Sequence, residues 1–154
     1  MKKTGMAIAL AAMGLVWLAN GSRHSIATSM AGQAKPIRAL LVIGGCCHDY
    51  TAQKDVLVKG LQARANVVVT IAFDPDKGTK HLNPVYEKAD WSKDYDVIIH
   101  DECTSDVTDL AQIKNILDPH KNGLPALLLH CGEHSYRSEG FPKTTPWFEF
   151  TGLA

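Results

Sequence analysis

His48-Asp49 and His130-Cys131-Gly132-Glu133-His134 bring three imidazoles, two carboxylates and a thiol into two short stretches of the chain. Neutral imidazole and carboxylate are the groups that remove a proton from a hydroxyl, or from a carbon beside a ketone, near neutral pH. The same groups ligate Zn, Fe or Mn. His48, Asp49, His130 and His134 are therefore the candidate catalytic residues, and His48, His130 and His134 the candidate ligands of a divalent metal. In the catalytic reading His130 or His134 is the base, His48 is a partner acid or ligand, and Asp49 or Asp101 is the orienting carboxylate. His130 and His134 stand four apart, but the glycine between them and the apolar run before them are not the His-Glu-x-x-His helix of a zinc protease.

Cys131 offers a second chemistry. A thiol directly after a buried strand, at a sharp turn into a helix, can be activated by helix-terminal amides and a neighbouring base. His134 or His48 could be that base, oriented by Glu133 or Asp101. Against this, Leu129 and Glu133 occupy the positions two before and two after Cys131, where elbow motifs favour glycine. The other cysteines are Cys46, Cys47 and Cys103. Sequence neighbours such as Cys46 and Cys47 are not expected to bridge each other, and four cysteines allow three pairings among which spacing does not choose.

These residues must be positioned by the elements between them. Residues 39–43 are a continuous apolar run stopped by Gly44-Gly45, the signature of a strand buried on both faces. Thr51 can cap a helix carrying Val56, Leu57 and Leu61, and residues 67–73, rich in β-branched side chains, read as a second strand ending at Asp74-Pro75. Residues 95–100 form a third strand candidate. Val107, Leu110, Ile113, Ile116 and Leu117 trace a helix face that stops at Asp118-Pro119. Residues 124–129 form a fourth strand. His81, Tyr86 and Trp91 read as loop packing, and His120 as a partner for a helix C-terminus. The rhythm predicts a flavodoxin-like three-layer α/β sandwich with a mostly parallel sheet, truncated at its C-terminus. In such sheets ligands bind outside the carboxyl ends of the strands, where His48, Asp49, Asp101, His130 and His134 fall. Trp147, Phe148 and Tyr136 could stack on a sugar ring or pack in the core.

With 16 basic and 16 acidic side chains among 154 residues, the chain has no concentrated positive charge and no footprint for nucleic acid. The N-terminus has Lys2 and Lys3, an apolar centre over residues 6–19, and small residues around Ser29-Met30-Ala31, the order of a cleaved signal peptide over residues 1–31. Export to the periplasm or beyond follows, with a membrane anchor if the segment stays uncleaved. The apolar centre is short of the roughly 20 residues that span a bilayer, so no stable membrane span is expected after cleavage.

The segments Leu41-Val42-Ile43-Gly44-Gly45-Cys46-Cys47-His48-Asp49-Tyr50, Tyr95-Asp96-Val97-Ile98-Ile99, Leu128-Leu129-His130-Cys131-Gly132-Glu133-His134-Ser135-Tyr136-Arg137 and Pro146-Trp147-Phe148-Glu149-Phe150-Thr151-Gly152-Leu153 resemble, in that order, the ThuA-like family, named for trehalose utilisation. The resemblance makes residues 37–154 a partial ThuA-like domain, because members of the family continue past the tryptophan segment. It implies a fold similar to the class I glutamine amidotransferases, and the handling of disaccharides or their keto derivatives. It places the family's glycine-rich loop on Gly44 to His48 and its histidine-bearing loop on His130 to His134. The amidotransferase relatives use an elbow cysteine, and Cys131 stands at the corresponding place. Three functions stay open: binding and conversion of a disaccharide or keto-sugar, a non-catalytic sugar-binding or assembly module, and a cysteine-dependent amidotransferase-like hydrolase.

Overall fold

The computed structural model describes residues 34–153. The segment read as a signal peptide, residues 1–31, lies outside them. Four parallel strands, β1 (Ile37–Gly45), β2 (Val67–Asp74), β3 (Val97–Cys103) and β4 (Ala126–Leu128), form one sheet in the order β2-β1-β3-β4. Helix α1 (Tyr50–Gln62) connects β1 to β2, α2 (Leu110–Lys121) connects β3 to β4, and α3 (Pro146–Thr151) follows the last strand. This is the flavodoxin-like α/β arrangement expected from the rhythm of the sequence.

The apolar run of β1 has its cause in the layers. Ala39, Leu41 and Ile43 face Leu57, Val58 and Leu61 of α1 across one side of the sheet, together with Ile99. Leu40, Val42 and Ile98 face the other side, covered by Ile113, Ile116 and Leu117 of α2 and by Trp147 and Phe148 of α3. A strand covered on both faces has no position for a polar side chain that lacks a partner. Tyr86 and Trp91, from the irregular segment after β2, complete this second core. Trp147 and Tyr136 are fully buried, so they are core residues and not a platform for a sugar ring.

Several boundaries differ from the sequence reading, each for a local reason. The cap of α1 is Asp49, whose carboxylate accepts from the Ala52 amide, so the helix begins before Thr51. Helix α2 is capped by Asp109, which accepts from the amides of Ala111 and Gln112, and Val107 packs in the core ahead of it. It also runs through Pro119 instead of stopping there. A proline inside a helix deprives the carbonyl four residues earlier of its donor. That carbonyl, on Asn115, instead accepts the Trp91 indole N–H at 3.3 Å. Strand β4 is shorter than expected, and β3 starts and ends later, taking Asp101, Glu102 and Cys103 into the sheet.

The polar end of β3 is tolerated because one oxygen of Glu102 collects three partners, although its Oε2 has none. Glu102, 1% exposed, accepts through Oε1 from the hydroxyls of Tyr86 at 2.8 Å and Tyr136 at 2.7 Å, and its Oε1 lies 2.9 Å from His100 Nδ1. His100 Nε2 lies 3.0 Å from Nε2 of His120, whose Nδ1 donates to the Leu124 carbonyl at 2.9 Å. With His120 donating at Nδ1, its Nε2 accepts from His100. His100 then satisfies both neighbours only by donating from both ring nitrogens, as an imidazolium paired with the Glu102 carboxylate. Burial pushes the Glu102 carboxyl up, but the His100 charge and the bonds from His100, Tyr136 and Tyr86 outweigh it and hold it below the usual glutamate range. Burial lowers His120. His120 thus sits in the last turn of α2 as expected, but as a core residue of this chain of contacts.

Candidate functional site

The order β2-β1-β3-β4 makes the carboxyl ends of β1 and β3 the place where connections leave in opposite directions, which is where open α/β sheets form a crevice. The register sets Gly45 beside Cys103. The Cys46 amide donates to the Cys103 carbonyl at 3.2 Å, and a Cβ on Gly45 would collide with that carbonyl, so glycine is required for the approach. The two backbones are thereby held close enough for Cys46 Sγ and Cys103 Sγ to stand 3.3 Å apart. Contrary to expectation, Cys46 and Cys47 form a disulfide. The turn allows it by placing Cys47 in the left-handed region, at φ 85°.

From the end of β4 comes the second half of the site. The left-handed residue of this turn is His130, at φ 37°, and not Cys131. Residues His130–His134 then wind into a short 3-10 turn. Gly132, two residues after His130, sits where a Cβ would lie 2.5 Å from the His100 carbonyl oxygen. The elbow therefore belongs to His130, with its glycine at the second following position, and the expectation that Cys131 occupies it is off by one residue. Ser135 ties the turn to β3 by donating to the Glu102 carbonyl at 2.8 Å, and the Trp147 indole donates to the Gly132 carbonyl at 2.8 Å.

The two halves meet at Cys131. Its Sγ lies 3.1 Å from His48 Nε2 and 3.2 Å from His130 Nδ1, and the two imidazoles stand edge to face with centroids 5.2 Å apart. These three side chains present ligand atoms within 4.8 Å of one another, and so do Cys46, Cys47 and Cys103. Tyr50, the first residue of α1, packs its ring against His48, and its buried hydroxyl has no hydrogen-bond partner. Burial and the neighbouring Cys103, Cys131 and Asp101 raise its pKa far above the usual phenol range, keeping it a proton donor. Burial and the adjacent Cys131 push the Cys103 thiol up to about 12.

Of the residues singled out in the sequence, His48 and His130 come together, joined by Cys131. Asp49 is spent as the α1 cap, and His134 stands exposed at the end of the 3-10 turn, outside both groups of ligand atoms. Asp101 is buried and accepts both of its bonds from the Gln53 amide, at 2.9 and 3.2 Å, so it orients no imidazole. The pairing of Cys46 with Cys103 and the place of Tyr50 were not anticipated. Aligning the ends of adjacent parallel strands would have pointed to the first, and nothing in the local pattern points to the second.

Asp101 carries a testable consequence. Burial and the neighbouring Glu102 charge push its carboxyl up to about 7 against the opposing bond from Gln53. A carboxyl raised in the folded state holds its proton there between the ordinary aspartate range and about 7. Its contribution to stability is therefore lost as pH rises through that window. Asp101→Asn is expected to leave stability near pH 3 almost unchanged and to raise it increasingly through that window, by on the order of 2 kcal/mol above pH 7. Urea unfolding of both proteins at two pH values measures this, and equal curves at the higher pH would disprove it.

Beside His48 opens a cleft of about 320 Å³, lined among others by Gly45, His48, Asp49, Asp74, Asp76 and Lys77. Its walls are mainly polar, and its volume is at the small end for ligand sites. Among the described residues, no helix is long and apolar enough to cross a membrane. Fold and site together define a flavodoxin-like α/β domain with a thiol and imidazole rim at the switch point of its sheet. Comparison with family models, curated proteins and solved structures finds no match to this chain.

Proposed function

We propose that this chain is an exported ThuA-like domain that binds a disaccharide or keto-sugar in the cleft beside His48 and acts on it with the His48–His130–Cys131 rim. The observation that carries the reading is the double position of His48, which lines the polar cleft and lies 3.1 Å from Cys131. The second carboxylate oxygens of Asp49 and Asp76, left free by their local amide bonds, suit a ligand rich in hydroxyl donors. The four ordered segments that resemble the ThuA-like family support the sugar as the class of ligand, and the N-terminal pattern supports export.

In this reading His48 takes a proton from a sugar hydroxyl or from the carbon beside a keto group, within hydrogen-bond reach of the cleft. As an alternative to His48 acting as base, His48, His130 and Cys131 would hold a divalent cation such as zinc, with a position left for a substrate oxygen. Such an ion would polarise that oxygen. Cys131 takes the place among the ligands first given to His134.

The test is calorimetric titration of the purified chain, with and without added zinc, against trehalose, maltose and their keto derivatives, followed by NMR of the sugar protons. Saturable binding that His48→Ala weakens, with exchange or conversion lost in the same variant, is the expected result. A folded chain that binds none of these sugars would overturn the reading. The contacts of Cys131 with two imidazoles also favour, as a second reading, a cysteine nucleophile. Alkylation by iodoacetamide separates the two: a nucleophile at Cys131 reacts many-fold faster than an ordinary thiol at neutral pH, and His48→Ala removes that reactivity.

A further inference from the structure

We propose that Cys46, Cys47 and Cys103, once the Cys46–Cys47 disulfide is reduced, form a three-sulfur site for a thiophilic d10 cation, distinct from the His48–His130–Cys131 group. The class of ion follows from the donors. Three sulfurs with no carboxylate among them suit zinc, cadmium or copper(I) and not magnesium or calcium. With the disulfide in place, all three sulfurs lie within 4.8 Å of one another, and reduction frees Cys46 and Cys47 to separate to ligand spacing. The 3.3 Å between Cys46 and Cys103 is close to the roughly 3.8 Å separating two thiolates on one tetrahedral zinc with bonds of about 2.3 Å.

The scaffold is built for this approach. Strand pairing of Gly45 with Cys103, the bond from the Cys46 amide to the Cys103 carbonyl and the absence of a Cβ at Gly45 hold Cys46, just past the end of β1, against Cys103 at the end of β3. Cys103 is buried, Cys46 half-buried and Cys47 exposed, so the ion has an entry side and a dry side. Tyr50 packs in one buried cluster with Cys103, Cys46 and Cys131, and its hydroxyl has no hydrogen-bond partner. A thiol is a poor acceptor for it, whereas a metal-bound thiolate is a good one, the kind of outer contact that orients ligands in metal sites.

The disulfide closes the site, and a dithiol opens it. A dithiol donor passes two electrons and two protons to the Cys46–Cys47 bond, yielding two cysteine thiols and the donor's own cyclic disulfide. The cation then displaces one proton from each of the three thiols. Neither step needs the sugar chemistry proposed above, so the site stands or falls separately from it.

The experiment titrates the purified full chain with cadmium, before and after reduction by dithiothreitol and removal of the reductant, reading the ultraviolet thiolate-to-cadmium absorption and the bound metal. The reduced chain is expected to take up one more cadmium than the oxidised chain, with the absorption of three thiolates. Cys103→Ser should weaken that extra equivalent about 100-fold or more. The double variant His48→Ala, His130→Ala should retain it. Cys47→Ser, at an exposed position, gives the same loss if Cys103→Ser fails to fold. Equal uptake by oxidised and reduced chains, or full retention in Cys47→Ser, overturns the site. Loss of the extra equivalent in the double histidine variant overturns its separateness from the imidazole group.

Discussion

Replacing Glu102 by glutamine is expected to destabilise the fold by about 3–5 kcal/mol, the cost of removing one partner from a buried ion pair. The carboxylate is the acceptor for two tyrosine hydroxyls and the counter-charge of His100, all of them buried. An amide at this position keeps one acceptor oxygen but neutralises the charge that the His100 imidazolium requires. The His100 contact with residue 102 then loses its charge assistance, and the chain of bonds through His120 weakens with it. The expected penalty is large against the 5–15 kcal/mol that holds a typical domain together. Urea unfolding at neutral pH measures it, and a loss below about 1 kcal/mol would show that the network contributes little.

The pH dependence gives the same prediction a second readout. The folded state depresses the Glu102 carboxyl below its ordinary range. Its contribution is therefore fully present above that range and is lost as pH falls through the lower folded value. In the Glu102→Gln protein this acid limb should flatten. Asp101, next in the strand, works with the opposite sign, because its carboxyl is raised and its contribution disappears as pH rises toward about 7. Adjacent carboxylates on one strand thus respond to acid in opposite directions, one facing two tyrosines and an imidazolium, the other facing an amide.

Trp147→Ala is expected to cost about 3–5 kcal/mol and to loosen the rim as well as the core. The indole is fully buried, edge-on to Tyr136 at 4.7 Å and to His100 at 5.3 Å. Its N–H holds the Gly132 carbonyl, in the middle of the turn that carries His130 and Cys131. Trp147→Phe separates the two effects, since it keeps most of the packing and leaves that carbonyl without its donor, at about 1–3 kcal/mol. Both variants should expose Cys131 to alkylation several-fold faster than the parent, through local opening of the turn. Unchanged alkylation alongside lower stability would mean that Ser135 and the sheet alone hold the turn.

The strands and helices of this chain are legible because their causes are local or nearly so. A central parallel strand must be apolar where it is covered on both faces, and β1 is so over Ala39–Ile43, while Arg38 at its exposed start pairs with Asp96. The face of α2 repeats at helical spacing for the same reason. Where the cause is distant, the reading failed. Asp101, Glu102 and Cys103 look like a loop, because Tyr86 and Tyr136, which make Glu102 tolerable in a strand, lie 16 and 34 residues away. Pro119 reads as a helix stop until Trp91, 24 residues before Asn115, supplies the donor that the proline removes from that carbonyl.

The rim divides in the same way. That imidazoles and thiols gather at the carboxyl ends of the strands follows from counting residues after each apolar run. Which of them touch does not, because a strand's neighbour is chosen by topology. His48 and Cys131 are 83 residues apart, and Cys46 and Cys103 are 57 apart. Parallel register brings each pair together, while one left-handed residue at His130 decides that Cys131 faces His48 and that His134 is left in solvent. Local propensity acts over a few residues and could supply the donors, but contact across such separations is a property of the sheet.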